Sequence, residues 1–393
     1  MSIYSTQDLA QLSEFYRDGL INDTLGFWLP DAVDAEHGGY LLMRDRDGSL
    51  LDDDKSVWFQ GRFASILGHL YNTAEQRPEW LEAAKSGVKF LIDHCFDDDG
   101  RMFFLVTRAG KPIRKRRYFY SEAFAIAAFA QLAKATDDEA LAQRARDLFK
   151  KCTQYADGTI PLPAKFTDTR PSKGLGQPMI FLNVAQQLCD TVGCEFAASQ
   201  IDGYIEQIAA CVNEEYKCVM ECVSPEGKII DHLQERTITP GHAIEGAWFI
   251  LHEAKRRGGD AKLQELGLKM LDYSWEHGWD KEFGGITYFT DPTGKPVMEY
   301  WQDMKFWWPQ NEAVIATLLA YTMTGDEKYA KWHKMIHDYA HEHFHDKEHG
   351  EWYGYLHRDG RISTPMKGNH YKGPFHLPRM QTYCWQLLEE HLK

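Results

Sequence analysis

One segment type recurs through the whole chain. DAEHGGYLLMRDRDG (34–48) returns as DKEFGGITYFTDPTG (280–294) and DKEHGEWYGYLHRDG (346–360), and in weaker form at 97–110, 156–162 and 215–227. The six copies start about 60 to 66 residues apart, the spacing of one supersecondary unit per repeat. Each holds a short alternating run and a glycine turn, the pattern of a hairpin. A chain punctuated in this way must be built from stacked equivalent units.

Helical stretches fill the intervals, and every second one opens alike. The openings are KSVWFQGRF from Lys55, YSEAFAIAAF from Tyr120, QPMIFLNV from Gln177, TPGHAIEGAW from Thr239, WPQNEAVIAT from Trp308 and LPRMQTYCW from Leu377. Pro178, Pro240, Pro309 and Pro378 stand at or near first helical positions, where a missing N–H costs nothing. These six helices are apolar around most of their circumference, whereas the alternates, such as DEALAQRARDLFKKCTQYA from Asp138, are charged on one face. Six buried helices alternating with six half-exposed ones predict an all-α, (α/α)6 barrel with short hairpins in its loops, a single domain over 1–393.

In such a barrel the inner helices run parallel, so six N-terminal ends gather at one mouth. Their dipoles favour negative charge there and disfavour protonated imidazole. The side chains at or near these ends are the candidate site: Trp58 and Arg62, Glu122, Lys173 and Asn183, His242 and Glu245, Trp308 and Glu312, His376 and Arg379. So many ionisable groups do not suit a dry core. A lone histidine such as His376, in KGPFHLPRM, is more often a core residue tied off by a hydrogen bond, and it is this company that points it toward function. His242 and Glu245, at i and i+3, share a helix face and read as a pair. Because His242 follows Pro240 in the first turn, the dipole is expected to lower its pKa below that of free imidazole, leaving a neutral general base.

Composition narrows the partners. With 58 acidic against 44 basic residues the surface repels nucleic acid and anionic membrane. The start of the chain lacks a secretory pattern and no window approaches a membrane span, so a cytoplasmic protein with reduced thiols is expected. Aromatic residues, at 13%, suit the stacking of sugar rings. No metal is expected. HEHFH (341–345) fits the H-E-x-x-H zinc pattern, but it falls at the end of an outer helix, far from the inner N-termini, where acid-and-histidine-rich endings are a habit of the repeat. No phosphate loop or dinucleotide fingerprint occurs.

Several ordered blocks resemble the N-acyl-D-glucosamine 2-epimerase family, also described as renin-binding proteins: EHGGY (36–40), VWFQGR (57–62), SEAF (121–124), RPSKG with PMIFLN (170–183), PGHAIEGAW (240–248), KFWWPQNEA (305–313), EWYGYL (351–356) and KGPFHLPR (372–379). The resemblance covers nearly the whole chain and implies the same barrel. It implies inversion at C2 of N-acetylglucosamine to N-acetylmannosamine after ring opening, through an enediolate-type anion, with His242 and His376 as the two proton carriers. Arg62, Lys173 and Arg379 would hold O1 and the developing charge, Glu245 and Glu312 would orient the histidines or assist ring opening, and Trp58 and Trp308 would wall the site. Glu122 and Asn183 match family positions, or tie inner helices together.

The family also has members that use ATP as an unconsumed activator and members that dimerise, so ATP as regulator and a homodimer are expectations of the resemblance alone. Cellobiose 2-epimerases carry a further histidine on the third inner helix, where this chain reads PMIFLN, and the isomerases continue their His-x-x-Glu pair differently. Both departures favour the N-acyl sugar. A cellobiose- or mannose-type aldose enzyme remains the alternative, as does an (α/α)6 glycoside hydrolase using Glu122, Glu245 or Glu312.

Overall fold

In the computed structural model, which describes residues 2–116, 118–163 and 167–393, helices carry the architecture. In chain order they are α1 (Thr6–Asp18), α2 (Leu25–Ala32), α3 (Val57–Thr73), α4 (Pro78–His94), α5 (Tyr120–Thr136), α6 (Glu139–Ala156), α7 (Gly176–Thr191), α8 (Glu195–Ala209), the short α9 (Leu233–Arg236), α10 (Pro240–Arg256), α11 (Ala261–Gly278), α12 (Trp307–Thr324), α13 (Glu327–His343) and α14 (His376–His391). A π-helical turn, Gly19–Thr24, joins α1 to α2. None of the described helices is long and apolar enough to cross a membrane.

Burial sorts the helices into two rings. Helix α12 is buried without a break from Trp307 to Tyr321, whereas α6 buries only Leu141, Ala142, Ala145, Leu148, Phe149, Cys152 and Tyr155, one stripe of helical period. Accordingly α3, α5, α7, α10, α12 and α14 form an inner ring in that order, with α14 returning to α3. Helices α4, α6, α8, α11 and α13 each pack outside the inner helix that precedes them, and α1 packs on α14. The first and last helices of the chain thus meet to complete the (α/α)6 barrel.

The helix starts follow the proline signals. Pro240 is the first residue of α10, and Pro178, Pro309 and Pro378 are third in their helices, still among the N–H groups that lack an intrahelical acceptor. Helices α7, α12 and α14 begin one residue before the expected openings, which makes His376 the first residue of α14. Asp138, Asp260 and Asp326 cap outer helices with their side chains.

The repeated segments are the loops at the helix ends. Their closing glycines, Gly48, Gly110, Gly227, Gly294 and Gly360, all have φ between +75° and +86°, a region that a side chain would disfavour. Three antiparallel strands (55–56, 103–106, 112–115) are echoed by 305–306, 355–356 and 362–364. The weakest copy, 156–162, forms a turn at Gly158 and no strand among the described residues.

The aspartates that open the strongest copies explain why the repeat is conserved within the chain. Asp34 accepts from Lys55 Nζ at 2.9 Å and Arg108 Nε at 2.9 Å. Asp280 accepts from Lys305 Nζ at 2.8 Å and Arg358 Nε at 2.8 Å, and Asp346 pairs with Lys367 Nζ at 3.1 Å and Arg46 Nε at 2.7 Å. Each lysine also donates to a glycine carbonyl of the same loop: Gly38, Gly284 or Gly350. Gln60 and Gln310, in the first turns of α3 and α12, clamp the backbones of Tyr40 and Ile286. Hairpins are thereby stapled to the mouth of the barrel.

Burial acts to raise the pKa of Asp280, but the hydrogen bonds from Arg358 and Lys305 outweigh it and hold the carboxyl well below its ordinary 3.8. A lowered carboxylate contributes stability that is complete above that ordinary value and is lost as pH falls toward the folded one. Asp280→Asn, which leaves Lys305 buried without its counter-ion, should cost about 3–5 kcal/mol at pH 7. Urea midpoints measured from pH 7 down to pH 3 should show the gap between variant and native protein narrowing as the pH falls.

Candidate active site

The six inner N-termini enclose a cavity of about 630 Å3. Trp58 and Arg62 come from α3, Tyr120 from α5, Met179 and Asn183 from α7, His242 and Glu245 from α10, Trp308 from α12, and His376 and Arg379 from α14. Every inner helix contributes. The hairpins add an aromatic rim that includes Tyr288, Trp301, Phe306, Tyr355 and Tyr371.

Both histidines pack on one indole. The Trp308 ring centroid lies 5.1 Å from that of His242 and 5.7 Å from that of His376. His376 Nδ1 lies 2.7 Å from Glu312 Oε1, and Glu312 is fully buried behind it. Glu312 also accepts from Trp248 Nε1 at 2.7 Å and from Arg379 Nη2 at 2.7 Å. Arg379 Nη2 also lies 3.3 Å from His376 Nδ1, but the shorter contact of that nitrogen is to a carboxylate, which only accepts, so the imidazole proton is assigned to Nδ1 and Nε2 keeps its lone pair.

His242 is held in the same way by a different residue. Its Nδ1 lies 3.0 Å from Glu221 Oε1 and 3.1 Å from Oε2. Glu221 stands between the strand pairs 218–219 and 222–223, in the copy of the repeat at 215–227. Sequence reasoning passed over it; the only signal was an acidic residue inside an otherwise apolar run, CVMECV. The expected partner, Glu245, instead pairs with Arg379 across the barrel in a very short contact. Helical spacing put Glu245 on the right face, and a stronger, charge-paired donor on α14 claimed it.

The two imidazoles are tuned in opposite directions. For His242, burial lowers the pKa, but the charge of Glu221, its hydrogen bond and the charge of Glu245 together raise it above 6.5. This reverses the expectation from the helix dipole, because a carboxylate in contact outweighs half a charge spread over a helix end. For His376, burial, then Arg379 and Arg62, hold the pKa well below 6.5. Glu221 thus favours the charged form of His242, whereas burial and the two arginines favour the neutral form of His376.

Arg62 is the cation left for a ligand. Its Nε is buried without a hydrogen-bond partner, and its guanidinium lies 4.0 Å above the Phe124 ring and 4.6 Å above that of Phe375. Burial pushes it down to about 9, still charged at neutral pH. Glu245, Glu312 and His376 offer ligand atoms within 4.8 Å of one another, but Arg379 bridges both carboxylates and supplies the positive charge there.

Two expected site residues lie elsewhere. Glu122, at the start of α5, turns away from the cavity to accept from Arg101 Nε at 2.7 Å and from the Met102 N–H at 2.9 Å, a buried tie between helix and hairpin. Lys173 is exposed and donates to the Pro225 carbonyl. In HEHFH the helix stops at His343, so His341 and His345 do not share a turn; His341 Nδ1 lies 2.8 Å from its own helix's His337 carbonyl, and His345 meets Asp23.

Fold and cavity together define an (α/α)6-barrel enzyme with paired histidines tuned in opposite directions. The sequence profile of N-acylglucosamine 2-epimerases matches residues 38–373. The chain is 34% identical over 386 residues to the N-acylglucosamine 2-epimerase of Bos taurus, covering 95% of this chain and 90% of that one. It is 24% identical over 399 residues to the cellobiose 2-epimerase of Bacteroides fragilis, covering 93% and 96%. The cellobiose 2-epimerase structure from Bacillus thermoamylovorans superposes with a TM-score of 0.82 at 22% identity, over 97% of this chain and all of that one. The chain belongs to the N-acylglucosamine 2-epimerase family and is an isomerase, an epimerase.

The imidazole assignment is open to direct measurement. In an NMR titration of the histidine rings, His242 should titrate above 6.5 and His376 should stay neutral into the acid range. Glu221→Gln removes the contact that raises His242, so its midpoint should move to lower pH while His376 is unaffected.

Proposed function

We propose that the protein interconverts N-acyl-D-glucosamine and N-acyl-D-mannosamine at C2. The carrying observation is the pair of imidazoles on one tryptophan, each tied through Nδ1 to a carboxylate, one biased toward its charged form and the other toward its neutral form. Once the sugar ring has opened, the aldehyde at C1 makes the C2 hydrogen acidic. The neutral His376 Nε2 removes that proton, the electron pair moves into a C1–C2 double bond, and the charge collects on O1. Arg62, whose guanidinium packs on aromatic rings and has no hydrogen-bond partner among the described residues, meets that oxyanion; removing such a donor costs about 10²–10³ in turnover in comparable sites. The charged His242 then delivers its Nε2 proton to the opposite face of C2, and the configuration inverts. The opposite epimer follows the same path backward.

Glu312 and Glu221 fix the two tautomers, and Arg379 keeps its charge beside His376 so that this imidazole stays a base. Trp58 and Trp308 offer faces to the sugar, and Asn183 faces the cavity, its side-chain carbonyl accepting from Gln187. The N-acyl sugar is favoured by the closer likeness to the Bos taurus enzyme than to the cellobiose enzymes, and by α7, which brings Met179 and Asn183 to the cavity with no histidine. Against a hydrolase stands the engagement of each candidate acid: Glu122 outside the cavity, Glu245 by Arg379, Glu312 by three donors.

Incubation with N-acetylglucosamine in deuterated water should place solvent deuterium at C2 of N-acetylmannosamine without bond cleavage. His242→Asn and His376→Asn should each reduce inversion by several orders of magnitude, on the order of 10⁴, while C2 exchange survives with a different single epimer in each variant. Complete loss of exchange from both epimers in both variants would point to one base alone.

A further inference from the structure

At the other end of the barrel axis, where the inner helices finish, lies a second cavity of about 300 Å3. It shares Asn183, Gln187, Phe375 and Arg379 with the catalytic cavity, so the two meet at a neck. The Phe375 ring stands in that neck between two cations, 4.6 Å from the Arg62 guanidinium carbon and 4.7 Å from that of Arg379. Beyond the neck Ser65, His69, Gln131, His252, Thr382 and Tyr383 bring polar groups to a wall whose surface is otherwise largely apolar. The chamber reaches solvent past Thr73, Lys134 and Asp190, which are exposed. A space of this volume, open to solvent and carrying these polar groups, has room for water.

Its histidines have no part in the chemistry described above. His252 Nδ1 lies 2.8 Å from the Tyr383 hydroxyl, and Gln386 Nε2 donates to Thr73 Oγ1 at 2.8 Å. Burial lowers both His69 and His252 to about 4, so each is a neutral ring able to accept and donate hydrogen bonds in that chamber.

The proposed reaction leaves a proton that such a space could exchange. Each inversion started by His376 leaves that imidazole protonated and His242 neutral, and the next turnover in the same direction requires the reverse. His376 is only 5% exposed, and a sugar in the mouth stands between it and bulk water. We propose that the rear chamber is the water path by which His376 exchanges protons with solvent while a sugar occupies the mouth. The exchange balances without redox change: a deuteron on His376 Nε2 passes to water, and water returns a proton. This rests on the C2-epimerase reading.

The test uses the full chain with C2-deuterated N-acetylglucosamine and C2-deuterated N-acetylmannosamine, separately, in ordinary water. For the epimer whose deuteron passes to His376, the recovered starting sugar should gain solvent hydrogen during inversion. His252→Phe, which removes a polar wall group, and Ser65→Leu, which fills the chamber, should each lower the ratio of that gain to inversion roughly fivefold for that epimer alone. Inversion itself should stay near the native rate. An unchanged ratio in both variants, or native enzyme that returns its starting sugar fully deuterated through many inversions, overturns the proposal. In either case solvent hydrogen in the product leaves the epimerase reading standing. Absence of any C2 exchange with either sugar overturns both.

Discussion

The site is organised by one buried carboxylate. Glu312, on α12, accepts hydrogen bonds from His376 and Arg379 of α14 and from Trp248 of α10. Burying an unpaired carboxylate costs several kcal/mol, and three donors, one of them a full charge, offset that cost. The consequence is geometric as well as energetic. Three neighbouring inner helices are tied at the level of the cavity, the His376 tautomer is fixed, and Arg379 is pinned where its charge keeps that imidazole neutral.

Across the cavity the other half of the site is carried by a loop. Glu221 comes from the link between strands 218–219 and 222–223, and the second of these is paired with 173–174 just ahead of α7. Lys55, Lys305 and Lys367, buried on aspartates of the repeated segments, bind those loops through charge and backbone together. The asymmetry comes from a loop carboxylate, Glu221, on His242 and from helix-borne cations, Arg379 and Arg62, beside His376.

Much of this architecture was legible in the sequence. The glycine-ended repeats, the first-turn prolines and the alternation of wholly apolar with one-faced helices led to the (α/α)6 barrel, and the helix openings pointed to His242, His376, Arg62, Arg379 and Trp308 as neighbours. What sequence could not show was pairing between elements. Glu245 stands one turn from His242 yet answers to Arg379, more than a hundred residues away, and Glu122 begins an inner helix yet turns outward to Arg101. Glu221 was hidden because a two-residue link between short strands has no periodicity to mark which side chain enters the cavity. HEHFH, already set aside for its place on an outer helix, is further divided by the end of α13 at His343, which the motif's spacing does not encode.

The central claim is that two imidazoles, one acting as base and one as acid, face C2 of one sugar from opposite sides. A crystal structure with the open-chain alditol of N-acetylglucosamine, which cannot react, tests it most directly. The account predicts His376 Nε2 and His242 Nε2 on opposite faces of C2, each within about 3.5 Å, with O1 on the Arg62 guanidinium. Both nitrogens on one face, or either imidazole turned away from C2, would contradict it.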